Sequence, residues 1–381
     1  MMKNKEISIY IHIPFCERKC DYCAFVSFCA SKNVQDEYVN FLVKEIEDFK
    51  TDAVVKTIYF GGGTPSVLSE ENLQKIFDAL NRNYKFKKNV EITIEVNPNS
   101  LSEEKLKFYK GLGINRLSIG VQSLNDETLK KIGRLHNKEM AINLVKKASL
   151  YFDNISADLI LGLENEKDVY KYAEILIDLG VKHISAYMLE VHKNTPIFDK
   201  VKNKTFLPLD DEEVANEYKK LVEFLKSKDF NQYEISNFAL KGYESKHNLN
   251  YWTFGDYIGF GVSAHSYISG KRFANADNLK DYYKKIVIQD ENNSRTEIEE
   301  RLFLGLRCES GVDLKILKKL GYDITKNENY EKFKKENIIF EKNDKIFLNK
   351  ENYLVSDYII SHLLPDDWNF RERKIILNKI L

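Results

Sequence analysis

The sequence predicts an α/β protein built on a central, mostly parallel sheet. Up to about residue 230, short β-branched or aromatic runs alternate with longer segments of helical period, which gives six βα units. The 381 residues, 43% of them hydrophobic, suffice for two or three domains with ordinary cores. Six units suit either an open doubly wound sheet or a barrel that lacks its last two strands, and periodicity alone does not choose between them.

Helix starts are readable between these strands, because a polar residue precedes acidic residues of the first turn. Ser69, Ser102 and Asn125 are such predicted caps, and Asp210 opens a capping box. The first helix, over 33–49, carries an apolar stripe. The predicted strands lie at 7–13, 56–60, 90–96, 116–121, 155–160 and 183–189.

The texture changes after residue 228. From 233 to 269 the chain is rich in Tyr, Phe, Gly, Ser and Asn, which predicts an extension laid over the open side of the sheet. A helix, helix and hairpin pattern then predicts a small α+β winged-helix-like module. We therefore expect three units, at 1–232, 233–290 and 291–381.

Charge excludes one class of partner. The 58 Lys and Arg residues balance 58 Asp and Glu residues, so the basic excess of a protein that holds nucleic acid through phosphates is missing. No stretch approaches the roughly 18 apolar residues of a spanning helix, and the polar start leads into a strand rather than a signal-peptide core. We expect a cytoplasmic protein that does not bind nucleic acid.

The sharpest motif is a C-x3-C-x2-C loop directly after the first strand, formed by Cys16, Cys20 and Cys23. Three thiolates on one short loop can close around a soft metal centre. One interpretation is a structural zinc site completed by His12 or Cys29. The other is a [4Fe–4S] cluster with one iron left open. Structural zinc needs a closed tetrahedral set, so three cysteines without a dedicated fourth favour the cluster.

This loop resembles the signature of the radical S-adenosylmethionine (radical SAM) superfamily. The resemblance implies a partial (β/α)6 barrel, here with the C-terminal winged-helix-like module, and S-adenosylmethionine bound to the open iron. A second match is the glycine-rich turn at 61–65 after the second strand, which contacts the amino group of S-adenosylmethionine in that superfamily. Alone, such a turn is only a generic cradle for anions or nucleotides.

Alternation along the strands adds polar residues to the predicted interior. On the third strand, Glu91, Thr93 and Glu95 share one face. Polar side chains there are costly in a core and useful in a site, although a buried polar network is the structural alternative. The same argument selects Tyr10, His12, Ser118, Gly120, Gln122, Ser156 and Asp158.

Within the superfamily, residues 10–16, 61–65 and 120–123 resemble the oxygen-independent coproporphyrinogen III oxidase group. Arg134 stands in a break between two helices rather than on a solvated face. Carried over residue by residue, the resemblance implies an S-adenosylmethionine pocket lined by Tyr10, Tyr22, Gly62, Gly63, Thr64, Glu95, Gln122, Arg134 and Asp158.

The group divides into oxidases and heme chaperones, and three features favour the chaperones. The chain reaches Cys16 almost at once, whereas the oxidases carry a longer preceding segment. Phe25 stands where the oxidases usually have a fourth cysteine. Residues 247–252, His-Asn-Leu-Asn-Tyr-Trp, match the HNxxYW motif associated with the chaperone branch.

The HNxxYW motif also has a physical interpretation. A neutral imidazole is a good ligand for heme iron, and Tyr and Trp rings offer a flat apolar surface for a porphyrin. We therefore expect His247 to contact heme. The structural alternative is a turn in which His247 and Asn248 bond to the backbone while Tyr251 and Trp252 pack into the core.

The predicted function is heme delivery by a protein that binds a [4Fe–4S] cluster, S-adenosylmethionine and heme. The recipients would be apo-hemoproteins of respiration, and an electron donor would reduce the cluster. The alternative is an oxidoreductase that decarboxylates two propionates of coproporphyrinogen III to vinyls, and a zinc-stabilised barrel without redox chemistry is a distant third. The sequence leaves open enzymatic turnover, dimerisation and transient membrane association.

Overall fold

The computed structural model describes residues 5–289 and 293–365; the start of the chain at 1–4 and the predicted boundary at 290 lie outside them. Six βα units form the first part, as predicted. The strands are β1 (Glu6–Ile13), β2 (Val54–Gly62), β3 (Lys85–Val96), β4 (Arg116–Gln122), β5 (Asn154–Leu161) and β6 (His183–Met188). The helices are α1 (Lys32–Asp48), α2 (Glu70–Asn83), α3 (Glu103–Gly111), α4 (Asp126–Lys131), α5 (Lys138–Ala148), α6 (Tyr170–Asp178), α7 (Pro196–Lys202) and α8 (Asp211–Ser227).

The predicted helix caps are confirmed. The side chains of Ser69, Ser102 and Asn125 accept hydrogen bonds from backbone N–H groups of the first turn of α2, α3 and α4. Asp210 and Glu213 form a complete capping box on α8. These bonds satisfy N–H groups that have no partner within the helix, and they fix where each helix leaves its strand.

The six strands pair in parallel and in chain order, so one continuous sheet curves around a polar interior. Within the described ranges the two outermost strands do not pair with each other, which leaves a partial barrel. The predicted fold class is confirmed.

The segment after α8 differs from its prediction. It continues the sheet at both edges: β8 pairs with β6, and β9 runs parallel to β1 as a seventh parallel strand. Short strands suffice here because they satisfy the otherwise unpaired edges of β1 and β6. The elements are β7 (Asn231–Gln232), β8 (Asn237–Ala239), α9 (Lys246–Trp252), β9 (Tyr257–Phe260), β10 (His265–Ile268), β11 (Lys271–Asn275), α10 (Leu279–Tyr282) and β12 (Val287–Gln289).

The C-terminal part has the predicted α+β pattern. Its three-stranded sheet has the order β13-β15-β14, and Asn343 and Asp344 both adopt positive φ in the tight hairpin turn. The elements are α11 (Ser294–Leu306), β13 (Val312–Asp313), α12 (Leu314–Lys319), α13 (Glu328–Lys335), β14 (Ile339–Lys342), β15 (Lys345–Leu348) and α14 (Ser356–His362).

Two large hydrophobic cores hold the chain together, one around the barrel and one in the C-terminal part. Ile235 and Trp252 belong to the second core, although both precede the C-terminal part in the sequence. A buried ion pair between Arg272 and Glu300, with Nη2 and Oε2 2.8 Å apart, also joins the two parts. The division into three units stays a prediction. Among the described helices, none combines the length and the apolar character that crossing a membrane requires.

Candidate functional site

The cysteine loop lies at the carboxyl end of the parallel strands. Its base is closed by two backbone bonds, from Cys16 N to Phe28 O at 3.1 Å and from Phe28 N to Pro14 O at 2.8 Å. Phe15 is fully buried beneath it and packs edge-on against Phe28. The three predicted ligands Cys16, Cys20 and Cys23 are partly exposed on this loop.

Each of the three sulfur atoms lies near a polar group from the surrounding protein. The Thr64 hydroxyl donates to the Cys16 sulfur at 3.5 Å, and Arg134 Nη1 donates to the Cys20 sulfur at 3.5 Å. The Cys23 sulfur lies 3.9 Å from the Ser27 hydroxyl. Such donors favour the thiolate form that ligates iron, although burial is the larger effect and raises the pKa of the Cys16 and Cys23 thiols.

The other two cysteines differ in their surroundings. Cys29 is exposed, and its thiol donates to the carbonyl oxygen of Glu17 at 3.2 Å. Cys308 is buried in the C-terminal part, where burial raises the pKa of its thiol. In the described part of the chain, no three His, Cys, Asp or Glu side chains are gathered closely enough to hold a single metal ion. The fit of a cluster therefore rests on the three partly exposed thiols and their donors.

Asp21 anchors the middle of the loop. Its backbone N–H donates to Ile132 O at 3.0 Å and its carbonyl accepts from Ile197 N at 2.9 Å. Its carboxylate pairs with Lys200 at 2.6 Å. The neighbouring Tyr22 packs against a small buried cluster that includes Ile132 and Ile197. Sequence reasoning missed Asp21 and Lys200, because their pairing spans 179 positions.

The glycine turn packs closely against neighbouring parts of the site. Gly62 has φ +111°, and a Cβ there would lie 2.6 Å from the His12 ring. A Cβ on Gly63 would lie 2.7 Å from the carbonyl oxygen of Phe15. These glycines let the turn pack against the base of the cysteine loop, and the predicted contact with a ligand stays a prediction.

Asn97 links the turn to the loop, and sequence reasoning missed it. Its amide nitrogen donates to Thr64 Oγ1 at 2.9 Å, and its oxygen accepts from Arg134 Nη2 at 2.7 Å. Arg134 Nη2 also donates to the carbonyl of Gly120 at 2.6 Å. Because Thr64 and Arg134 reach Cys16 and Cys20, one polar network holds two of the three sulfurs. The available signal was a polar residue just past the end of a parallel strand.

Two carboxyl groups face the interior below this network. The Tyr59 hydroxyl donates to Glu95 Oε1 at 2.8 Å, and burial, strengthened by the charge of Asp158, raises the pKa of Glu95 to about 7. Asp158 accepts from Ser118 at 3.2 Å, and burial raises the pKa of its carboxyl too. Both pKa shifts follow from removing charge from water.

The other predicted pocket residues lie around the same opening. Tyr10 hydrogen-bonds through its hydroxyl to His12 Nδ1 at 3.0 Å, and Gln122 ends β4 with φ +66°. The structure thus gathers a guanidinium, two carboxyls and several polar groups at the end of the barrel that carries the cysteine loop. Its partly exposed members are Tyr10, Tyr22, Gly62, Gly63, Glu95, Gln122, Arg134 and Asp158.

His247 lies at the opposite end of the barrel, on α9. Its ring is fully buried, with Nδ1 2.8 Å from Thr57 Oγ1 and Nε2 2.8 Å from the Tyr251 hydroxyl. The Tyr59 ring stacks on it at a centroid distance of 5.1 Å. Burial lowers the pKa of His247 to about 3, so its imidazole is neutral.

Glu91 explains why α9 begins where it does. Its two carboxylate oxygens accept the backbone N–H groups of Lys246 and His247 at 3.1 and 3.0 Å. A carboxylate at a helix N-terminus satisfies free donors and complements the helix dipole. The structural alternative is matched in part: Trp252 lies in the second core, but the segment is a helix rather than a turn, and the His247 ring bonds to side chains rather than to the backbone. Heme contact by His247 stays a prediction, and it requires one of the two ring hydrogen bonds to break.

Comparison with known proteins places these features in context. The model of the radical SAM superfamily matches residues 10–176. The heme chaperone HemW of Bacillus subtilis is 41% identical over 323 residues, which cover 81% of this chain and 85% of that protein. The heme chaperone HemW of Lactococcus lactis is 32% identical over 97% of this chain and its own entire length.

Among solved structures, the coproporphyrinogen III oxidase HemN of Escherichia coli superposes with a TM-score of 0.79. The match covers 94% of this chain and 90% of that structure at 22% identity. It shows that the two proteins share a fold, including the C-terminal part.

Proposed function

The chain belongs to the HemW family of the radical SAM superfamily, and from this premise we propose that it is a heme chaperone, which binds heme and transfers it to apoproteins. The observation that carries the proposal is similarity over nearly the whole chain to relatives that are heme chaperones. The cofactors are a [4Fe–4S] cluster and S-adenosylmethionine, and heme is the cargo.

We propose that Cys16, Cys20 and Cys23 hold the cluster. Their sulfurs are partly exposed, and the donors Thr64 and Arg134 suit thiolate ligands. The cluster supplies one-electron chemistry when it is present. The protein contributes a fixed loop base, a network through Asn97 and partial exclusion of water.

The pocket for S-adenosylmethionine is proposed at the nine residues that the family resemblance selected. Glu95 is the group suited to a cationic ligand, because an ionised carboxylate in a partly closed site attracts positive charge strongly. Tyr59 holds this carboxylate from below. Arg134 is fixed by Asn97 and by the Gly120 carbonyl, so it orients the opposite side of the pocket.

Heme is proposed to contact His247 after the imidazole has lost its hydrogen bond to either Thr57 or Tyr251. The recipients are proposed to be apo-hemoproteins of respiration, in the cytoplasm or presented to it. A separate electron donor is proposed to reduce the cluster.

The test compares heme binding with turnover in one anaerobically reconstituted preparation. We expect heme to give a Soret shift, and we expect no conversion of coproporphyrinogen III with S-adenosylmethionine and a reductant. His247→Ala should change the heme spectrum without changing iron or sulfide content, because the cysteine loop is a separate segment. Formation of protoporphyrinogen IX over many turnovers would overturn the proposal in favour of the oxidase. Among the comparisons, the shared fold with HemN is the support for that alternative.

A further inference from the structure

The unusual group in the barrel is the guanidinium of Arg116, the first residue of β4. The residue is 1% exposed, and its Nε is buried without a hydrogen-bond partner. Among the described residues, its side chain forms no hydrogen bond and no ion pair. A buried and unpaired guanidinium is costly, since neither water nor a carboxylate compensates its charge.

Two further unpartnered polar atoms lie beside Arg116. Its register partner on β3 is Thr93, and its register partner on β5 is Asn154. Thr93 Oγ1 and Asn154 Oδ1 are also buried without hydrogen-bond partners. Neighbouring strands are about 4.8 Å apart, so the three side chains form one row across the interior. The guanidinium of Arg116 and the hydroxyl of Thr93 can both donate to an oxyanion of carboxylate size, whereas the unpartnered atom of Asn154 is an acceptor oxygen that bounds the row.

The surrounding charges leave this row cationic. Glu95 and Asp158 are close enough for the charge of Arg116 to lower their pKa values, but burial outweighs this effect and raises both. Their hydrogen bonds go to Tyr59 and to serines instead. His183 and His247 face the same charge and are neutral, because burial lowers their pKa values.

The row lies toward the end of the barrel that α9 closes. Along β4, Arg116 precedes Ser118 and Gly120 on the inner face, so it is farther from the cysteine loop than either. A groove of about 580 Å³ lies beside the row: Asn154 lines it together with Lys88, Glu91 and Lys246, whereas Arg116 and Thr93 do not. A volume of this size suits a small-molecule ligand, and two ammonium groups against one carboxylate favour an anionic one.

We infer that Arg116 and Thr93 form a carboxylate-binding subsite, and that it takes a propionate of the tetrapyrrole. The carboxylate follows from these two donors, whereas the propionate rests on the proposed function, because heme carries two propionates. The other available carboxylate is that of S-adenosylmethionine, whose proposed pocket begins at Glu95 and Asp158, nearer to the cysteine loop than Arg116 is.

The experiment titrates reconstituted protein with heme and with heme dimethyl ester, in which both propionates are blocked. The parent should bind heme about tenfold to a hundredfold more tightly than the ester, as expected for a buried charge-assisted contact. Arg116→Gln should remove this preference and leave ester affinity unchanged. Arg116→Lys should keep part of the preference, and Thr93→Val should reduce it less than Arg116→Gln does.

The outcomes separate the two proposals. If the parent binds neither compound, the proposed function fails and the subsite fails with it. Equal binding of both compounds by the parent overturns the subsite alone, and this comparison needs no variant. A preference retained by Arg116→Gln, or a loss of S-adenosylmethionine affinity instead of heme affinity, also overturns it. Iron content and circular dichroism of each variant report whether it is folded.

Discussion

The two ends of the barrel are both polar, yet the cysteine loop at one end and His247 at the other are bonded differently. At the carboxyl end, three thiols are partly exposed, and each has a polar side-chain atom at 3.5 to 3.9 Å. At the end closed by α9, His247 is fully buried and has a partner for both ring nitrogens and for its backbone N–H. Groups left partly unsatisfied are available to a ligand, whereas groups with every bond made inside the protein hold the structure. The HNxxYW motif identifies a family branch, but it does not show that its histidine is free.

The largest expected effect is loss of the iron–sulfur cluster at the carboxyl end of the barrel. Cys16→Ala, Cys20→Ala or Cys23→Ala should each abolish the cluster, whereas the parent should hold about four irons and absorb near 400 nm after anaerobic reconstitution. Cys29→Ala and Cys308→Ala are the matched controls, because their thiols lie outside the network of Thr64 and Arg134. Stoichiometric zinc in protein purified without oxygen would refute the cluster assignment.

The next largest expected effect is a loss of stability when the His247 ring on α9 is removed. His247→Ala should lower the free energy of unfolding by about 2–4 kcal/mol, because it leaves a cavity and removes one hydrogen bond each from the hydroxyls of Thr57, which keeps Ser8, and Tyr251. Denaturant unfolding of the cluster-free protein measures this change. His192→Ala is the control, since that side chain is 47% exposed and pairs only with Glu190. Equal stability of parent and His247→Ala would show that the ring is not held as described.

The same contrast explains what could be read from the sequence. The strands, the caps at Ser69 and Ser102 and the cysteine loop depend on neighbours in the chain, so period and spacing revealed them. The contact between Glu91 of β3 and the first turn of α9 could not be predicted in this way, because the bond from His247 N to Glu91 spans 156 positions. The strand β9 was missed for a related reason: four residues without a clear period become a strand only beside β1. Contacts between residues far apart in the sequence therefore determine the strand β9 and the start of α9, which the local sequence pattern does not predict.

A smaller effect concerns the pH dependence of the carboxyl end. The pKa of Glu95 is raised to about 7, so the group is largely protonated below that pH. A cationic ligand favours the carboxylate, and binding below pH 7 must therefore release a proton. The affinity for S-adenosylmethionine should fall by about tenfold for each pH unit below 7 and level off above it. Glu95→Gln should flatten this profile in titrations from pH 6 to 8, and an unchanged profile in that variant would assign the titration to another group.

The smallest expected effect concerns Asn97, which joins the two sides of the pocket without touching a sulfur itself. Asn97→Ala removes one hydrogen bond to Thr64 and one from Arg134, each contributing about 1 kcal/mol. Since both partners can turn to water in a partly exposed pocket, the affinity for S-adenosylmethionine should fall by about fivefold to tenfold while iron content stays the same. Asn83→Ala is the control, because that amide bonds to Ala79 O at the end of α2, outside the pocket. If Asn97→Ala instead prevented cluster assembly, the bonds of Asn97 would be needed to position the cysteine sulfurs rather than the ligand, and the cysteine loop would depend on internal bonds as His247 does.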